Sequence, residues 1–200
     1  MQISMNDFQH FLREDSLFTA SEFFLNMKNP KPVTHSVRLE SKVYEELSKE
    51  ASKKSASFNN LVNQILKKYV EFDQFIPDLN FILIHKGLII SNMEGQNDDT
   101  VLSRAEAAGG AFARDTILTM GLPLNKESLL YFIDPVVCRY KNFADCQRYQ
   151  RDGKEVFYLR HDLGARWSLF LKGYVSGAFK NVLHKEIEID ETKDGIRFTV

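Results

Sequence analysis

Polar and apolar side chains alternate along Val33-Thr34-His35-Ser36-Val37-Arg38-Leu39. Read with a period of two, Thr34, Ser36 and Arg38 share one face, and Val33, Val37 and Leu39 share the other. Those three polar types suit the reading of base edges in duplex DNA. A guanidinium donates to guanine O6 and N7 together, hydroxyls donate or accept, and a threonine methyl packs on a thymine methyl. A good bidentate contact of this kind contributes ~1–3 kcal/mol of base discrimination. Further along, Ser57-Phe58-Asn59 forms a second group. Ser57 is a favoured helix N-cap, and the free N–H groups and dipole at a helix start attract phosphate. The Phe58 and Asn59 backbone amides, with the Ser57 and Asn59 side chains, are the expected phosphate anchors. From Lys31 to Phe72, eight Lys and Arg stand against five Glu, an excess of +3 that a dimer doubles.

Other chemistry finds little support. His85, His161, His184, Cys138, Cys146 and Asp162 are the candidate metal ligands, and no pair of them has a zinc-type C-x-x-C or H-x-x-x-H spacing. His161-Asp162 precedes an apolar helical stripe, so Asp162 is expected to cap that helix. No G-x-S-x-G elbow, phosphate-cradling glycine loop or G-x-G-x-x-G fingerprint occurs. Gly109-Gly110 is expected inside a helix, serving close packing. Catalytic residues, metals and cofactors are therefore not expected. Phe157, Trp167, Phe170, Tyr174 and Phe179 are expected in a hydrophobic core, with the wall of an apolar pocket as the alternative.

The elements that must position the polar face follow from periodicity. Residues 33–39 predict a strand. Val43, Leu47 and Ala51 recur every four residues and predict a helix that breaks at Lys53-Lys54-Ser55-Ala56. Behind Ser57, Phe58, Leu61, Val62, Ile65, Leu66 and Tyr69 mark a second amphipathic helix. A lone seven-residue strand leaves its backbone donors and acceptors unpaired. The same strand from a second copy, running antiparallel, would pair them and make a two-stranded ribbon. Each strand would span roughly 23 Å at ~3.3 Å per residue, and such a ribbon fits a major groove about 12 Å wide. Val37, Leu39, Val43, Leu47, Leu61, Val62, Ile65 and Leu66 would form the dimer core.

The order and spacing of these residues resemble the ribbon-helix-helix repressor family. The resemblance covers about forty residues, a fifth of the chain. It runs through Thr34 to Leu39, then Val43, Leu47 and Ala51, then Ser57-Phe58-Asn59, Leu61-Val62, Ile65-Leu66 and Tyr69. It implies a homodimeric, sequence-specific DNA-binding transcription regulator of the repressor kind, with its strands in the major groove. Three departures stand out: Glu40 where proline is frequent, Asn59 for a second serine, and His35 on the inward strand face. An antitoxin, or a protein-assembly module using the same dimer scaffold, is the alternative.

With 200 residues, 44% hydrophobic and 26% charged, the chain has a globular composition. The net charge of −1 means that any nucleic-acid surface must be local. Two cysteines point to a reduced, cytoplasmic setting, and the N-terminus lacks a signal-peptide pattern. No apolar run reaches the ~18–20 residues a membrane span needs.

An α+β organisation in three segments is expected: a helical N-terminal extension over 1–32, closed by Asn29-Pro30-Lys31-Pro32; the ribbon-helix-helix module over 33–72; and a mixed α/β domain with a mainly antiparallel sheet over 78–200. In the last, Phe81–Ile84 and Leu88–Ser91 predict strands, residues 101–120 a helix, and Arg151-Asp152-Gly153-Lys154 a hairpin turn. Trp167, Leu171, Tyr174, Val175, Ala178 and Val182 predict a helix, and Glu186–Asp190 with Ile196–Val200 a closing hairpin. Tyr158 to Gly164, leading into that helix, resembles the end of small-molecule-sensing domains of the 4-vinyl-reductase type. That likeness implies an effector-sensing or assembly role, without transferring any ligand residue.

Overall fold

A computed structural model describes residues 33–79 and 81–200. The helical extension expected over 1–32 lies outside the described residues. The chain divides into two compact units, residues 1–43 and 44–200. Of the first, residues 33–40 carry neither helix nor strand, and α1 (Ser41–Lys53) begins at its end.

In the second unit α1 runs on to Lys53, with Leu47 half-buried and Ala51 buried. The chain then turns through Ser55, whose φ of 51° is left-handed. In α2 (Phe58–Glu71), the Ser57 hydroxyl accepts from the Asn60 N–H at 3.1 Å. The far end of α2 is tied to the rest of the unit. The Tyr131 hydroxyl donates to the Glu71 carbonyl at 3.1 Å, the Tyr140 hydroxyl donates to the buried Glu71 carboxylate, and Phe72 stacks on Tyr140 with ring centroids 5.6 Å apart. Desolvation, reinforced by Glu71, pushes both phenols well above their ordinary range.

Two helices form the centre of the unit: α4 (Asp98–Thr119) and α6 (Ala165–Leu183). Asn97 caps α4 by accepting from the Thr100 N–H at 2.7 Å, and Asp98 and Asp99 sit at the positive end of its dipole. The helix pair meets backbone to backbone. A Cβ on Gly109 would lie 2.0 Å from the Tyr174 carbonyl oxygen, and one on Gly177 would lie 1.9 Å from that of Glu106. Arg166–Asp98 at 2.6 Å and Lys180–Glu106 at 3.0 Å flank the contact. The expected helix over 101–120 and the packing role of Gly109-Gly110 agree with this arrangement.

The expected strand over Leu88–Ser91 is instead helix: α3 spans Lys86–Met93. Residues 81–84 are neither strand nor helix. A short apolar run fits either period, and local side chains decide here for helix. His85 Nδ1 accepts from the Gly87 N–H at 3.1 Å, and the Ser91 and Asn92 side chains donate back to the Leu88 carbonyl at 3.0 and 2.8 Å. Between α4 and the sheet, α5 (Lys126–Tyr131) continues into a π-helical turn, Phe132–Tyr140. Pro135 lies inside that turn and lacks an N–H to donate, a common origin of such widening.

The sheet has four antiparallel strands in the order β1 (Asp145–Arg151), β2 (Lys154–Arg160), β4 (Gly195–Thr199), β3 (Ile189–Thr192). The β1–β2 hairpin turns at Asp152-Gly153, both at positive φ (51° and 74°), as a tight two-residue turn requires. Both expected hairpins are present, but the first strand of the closing one runs Ile189–Thr192 rather than Glu186–Asp190. One face packs on α6: Phe157 and Phe198 stack 5.2 Å apart, and Phe179 meets Phe198 edge-on at 5.8 Å. Trp167 is fully buried and donates from Nε1 to the Phe143 carbonyl at 2.9 Å. With Phe157, Tyr174 and Phe179 it belongs to the packed interior, and Phe170 is half-buried against it.

Asp162 does not cap α6. Gly164, at φ 79°, occupies that position with no side-chain bond, and Asp162 is exposed. The neighbour does the positioning. His161 Nδ1 accepts from the Leu163 N–H at 3.2 Å, so Nε2 carries the hydrogen and donates to Ser168 Oγ at 2.9 Å. Desolvation holds the imidazole below its ordinary pKa, outweighing Asp194 and Asp162. The unfolded chain therefore takes up a proton at His161 near pH ~6.5 while the folded chain does not. Stability falls with pH below that value until the folded pKa is passed.

Two outcomes are expected. Gly177→Ala forces the helix pair apart and lowers stability by about 1–3 kcal/mol or more, read as a drop in Tm of at least several degrees. Wild-type Tm falls more steeply between pH 7 and pH 5 than that of His161→Asn; parallel curves would remove His161 from the account.

Candidate nucleic-acid interface

In the first unit, Thr34, Ser36 and Arg38 are all exposed, and so are His35 and Glu40. The apolar residues between them are exposed too, Val37 at 68% and Leu39 at 43%. Among the described residues, no strand ladder includes 33–40. The expected sorting of the stretch into an inward and an outward face is therefore absent within one chain. The physical reason is general: a strand forms only where its backbone groups meet a partner.

In the second unit, the start of α2 has the expected form. Helix geometry leaves the Phe58 and Asn59 N–H groups without intrahelical acceptors, while the Ser57 hydroxyl serves the third amide, that of Asn60. Asn59 is exposed. Asn60, which sequence reasoning passed over, is exposed on the same first turn and accepts from Gln64 Nε2 at 3.3 Å. Four lysines of α1, α2 and the turn between them are ion-paired. Lys49 pairs with Glu46 at 2.8 Å, Lys54 with Glu50 at 3.1 Å, Lys67 with Glu71 at 3.5 Å and Lys68 with Asp73 at 2.9 Å. Pairs between exposed side chains contribute ~0–1 kcal/mol each, whereas Glu71, the partner of Lys67, is buried.

The residues expected in a dimer core behave in two ways within one chain. Leu61 is buried, and Leu47 and Val62 are half-buried. Val43, on the first unit, is 43% exposed, and on α2 Ile65 and Leu66 are 47% and 57% exposed, beside Tyr69 and Val70. The apolar stripe of α2 is thus covered at Leu61, partly covered at Val62 and uncovered from Ile65 onward.

The candidate metal ligands are dispersed. His85 caps α3, His161 is bound at the start of α6, and His184 ends α6 in a left-handed conformation. Cys138 and Cys146 are thiols in mutual contact, and that contact together with burial holds the Cys138 thiol well above its usual range. Among the described residues, no group of three or more His, Cys, Asp and Glu is placed to hold a metal ion. No described helix is long and apolar enough to cross a membrane. A concavity of about 500 Å³ is bordered by Tyr149, Arg197 and residues 185–188.

Replacing Ser57 with Ala leaves one more N–H at the start of α2 without an acceptor. Stability should fall by about 0.5–2 kcal/mol, measured by urea unfolding; no change would mean the cap is dispensable.

Compared with models of protein families, with curated proteins and with solved structures, the chain gives no match.

Proposed function

We propose that the chain is a sequence-specific DNA-binding transcription regulator that acts as a homodimer. In this reading, residues 33–39 of two chains pair antiparallel and place Thr34, Ser36 and Arg38 against base edges in the major groove. The start of α2, at Ser57, Phe58 and Asn59, holds phosphate. The single observation that carries the reading is the state of residues 33–40. The run alternates polar and apolar types, is exposed throughout, and belongs to neither a helix nor the four-stranded sheet of its own chain. Its backbone groups therefore remain available for a sister strand. The uncovered apolar row of α2, with Ile65, Leu66, Tyr69 and Val70, supports the same reading, because monomers seldom leave such rows in water. In this reading residues 78–200, which belong to the same compact unit as α2, carry a sensing or assembly role.

Selection of bound sequences from random duplex DNA should return a two-fold or tandem motif. Arg38→Ala should lose about five- to hundred-fold in affinity for that motif, the equivalent of ~1–3 kcal/mol, while the circular dichroism spectrum and dimer mass stay unchanged. Ser57→Ala should weaken specific and non-specific DNA about equally. Wild-type binding should weaken steeply with salt through counterion release. Retained specificity in Arg38→Ala, or binding indifferent to salt, would overturn the proposal.

A further inference from the structure

The last two turns of α4 carry Phe112, Asp115, Thr116 and Thr119 at helical spacings of three and four, so these side chains share one face. Asp78, Leu79 and Phe81 close over that face and leave a cavity of about 290 Å³, at the small end for ligand sites. Phe81 and Phe112 meet edge to face, with centroids 6.3 Å apart and planes at 87°, and form two apolar walls of a corner.

Two kinds of group at this cavity lack partners. The Thr116 hydroxyl borders it, is fully buried and has no hydrogen-bond partner. Buried hydroxyls are nearly always satisfied, so this one marks a place for an incoming group. Asp78 and Asp115 are exposed at the border, and among the described residues neither carboxylate has an ion-pair partner. Among the described residues no Lys, Arg or His lines the cavity. The unmatched charge of the site is therefore negative.

Lys141 does not line the cavity, but it limits where a ligand's charge can go. Its Nζ lies 4.2 Å from the ring centroid of Phe81, 5.5 Å from that of Phe132, and 6.0 Å from those of Phe112 and Phe143. A second cation held against Phe81 or Phe112 would be repelled by that ammonium. The rings are thus left for an apolar body, and a cation belongs at the carboxylates.

We propose that this cavity binds a small primary amine with an apolar body and a hydroxyl at its far end. The ammonium pairs with Asp78 and Asp115, the body packs on Phe81, Phe112, Leu79 and Leu118, and the hydroxyl meets Thr116. Phe112 is 44% exposed, and exposed side chains change rotamer within nanoseconds, which opens the way to the buried hydroxyl. The two aspartates repel carboxylates, phosphates and nucleotides. The site lies wholly in the second unit and does not depend on the DNA-binding reading.

The test is isothermal calorimetry of the full chain with tyramine at low ionic strength, with thermal melts of each variant. Saturable tyramine binding is expected, at least tenfold tighter than that of 4-hydroxyphenylacetate, which keeps the ring and hydroxyl but reverses the charge. Asp78→Asn and Asp115→Asn should each weaken tyramine at least threefold and leave Tm unchanged, since both side chains are exposed. Thr116→Val should weaken tyramine severalfold and leave phenethylamine, which lacks the hydroxyl, unaffected. Its Tm should not fall, because the hydroxyl it removes has no partner. No saturable tyramine binding to wild type at millimolar concentration would overturn the proposal. So would equally tight binding of 4-hydroxyphenylacetate, or undiminished affinity in the aspartate variants or in Thr116→Val.

Discussion

The contact on which the second unit depends is the approach of α4 to α6 at backbone distance. Gly109 and Gly110 on one helix, and Gly173 and Gly177 on the other, stand where any Cβ would collide with the facing chain. This closeness is possible only with glycine, although each glycine costs about 0.5–1 kcal/mol of helix stability relative to alanine. The sheet, the aromatic cluster around Trp167 and the π-helical turn are arranged around that pair. Because α6 is sandwiched between α4 and the sheet, a change in its separation from α4 would be felt on both sides.

The end of α2 is tied into the rest of the second unit. Glu71 is a buried carboxylate held by Tyr140 and Lys67, and Phe72 stacks on Tyr140. Helix α2, which the DNA-binding reading places under the ribbon, thus ends inside the C-terminal core. Tyr140 is followed directly by Lys141, the cation enclosed by phenylalanines.

The candidate interface was legible only in its residue types. The alternation of Thr34, Ser36 and Arg38 is in the sequence, and so is the cap at Ser57, because capping is a local bond between neighbours. Whether residues 33–39 become a strand is not local, since the partner backbone lies elsewhere. The Phe81–Ile84 and Leu88–Ser91 expectations failed for a related reason. Four apolar residues in a row satisfy either period, and His85, Ser91 and Asn92 tip the second run into helix through bonds that hydropathy does not register. Asp162 looked like the cap of α6, but His161 reaches Ser168 and Leu163 first, and the left-handed Gly164 carries the chain into the helix.

By itself the sequence determined what rests on short-range geometry. That includes the two amphipathic helices after residue 40, the hairpin at Asp152-Gly153, the long helices containing Ala105 and Trp167, and the closing hairpin. Their periods and turn residues act within a few positions of one another. Tertiary structure alone decided which glycines bring helices together, that Glu71 is buried under two tyrosines, and that Lys141 is enclosed by rings from four separate stretches of chain. Those features depend on groups far apart in sequence meeting in space, which no local backbone preference encodes.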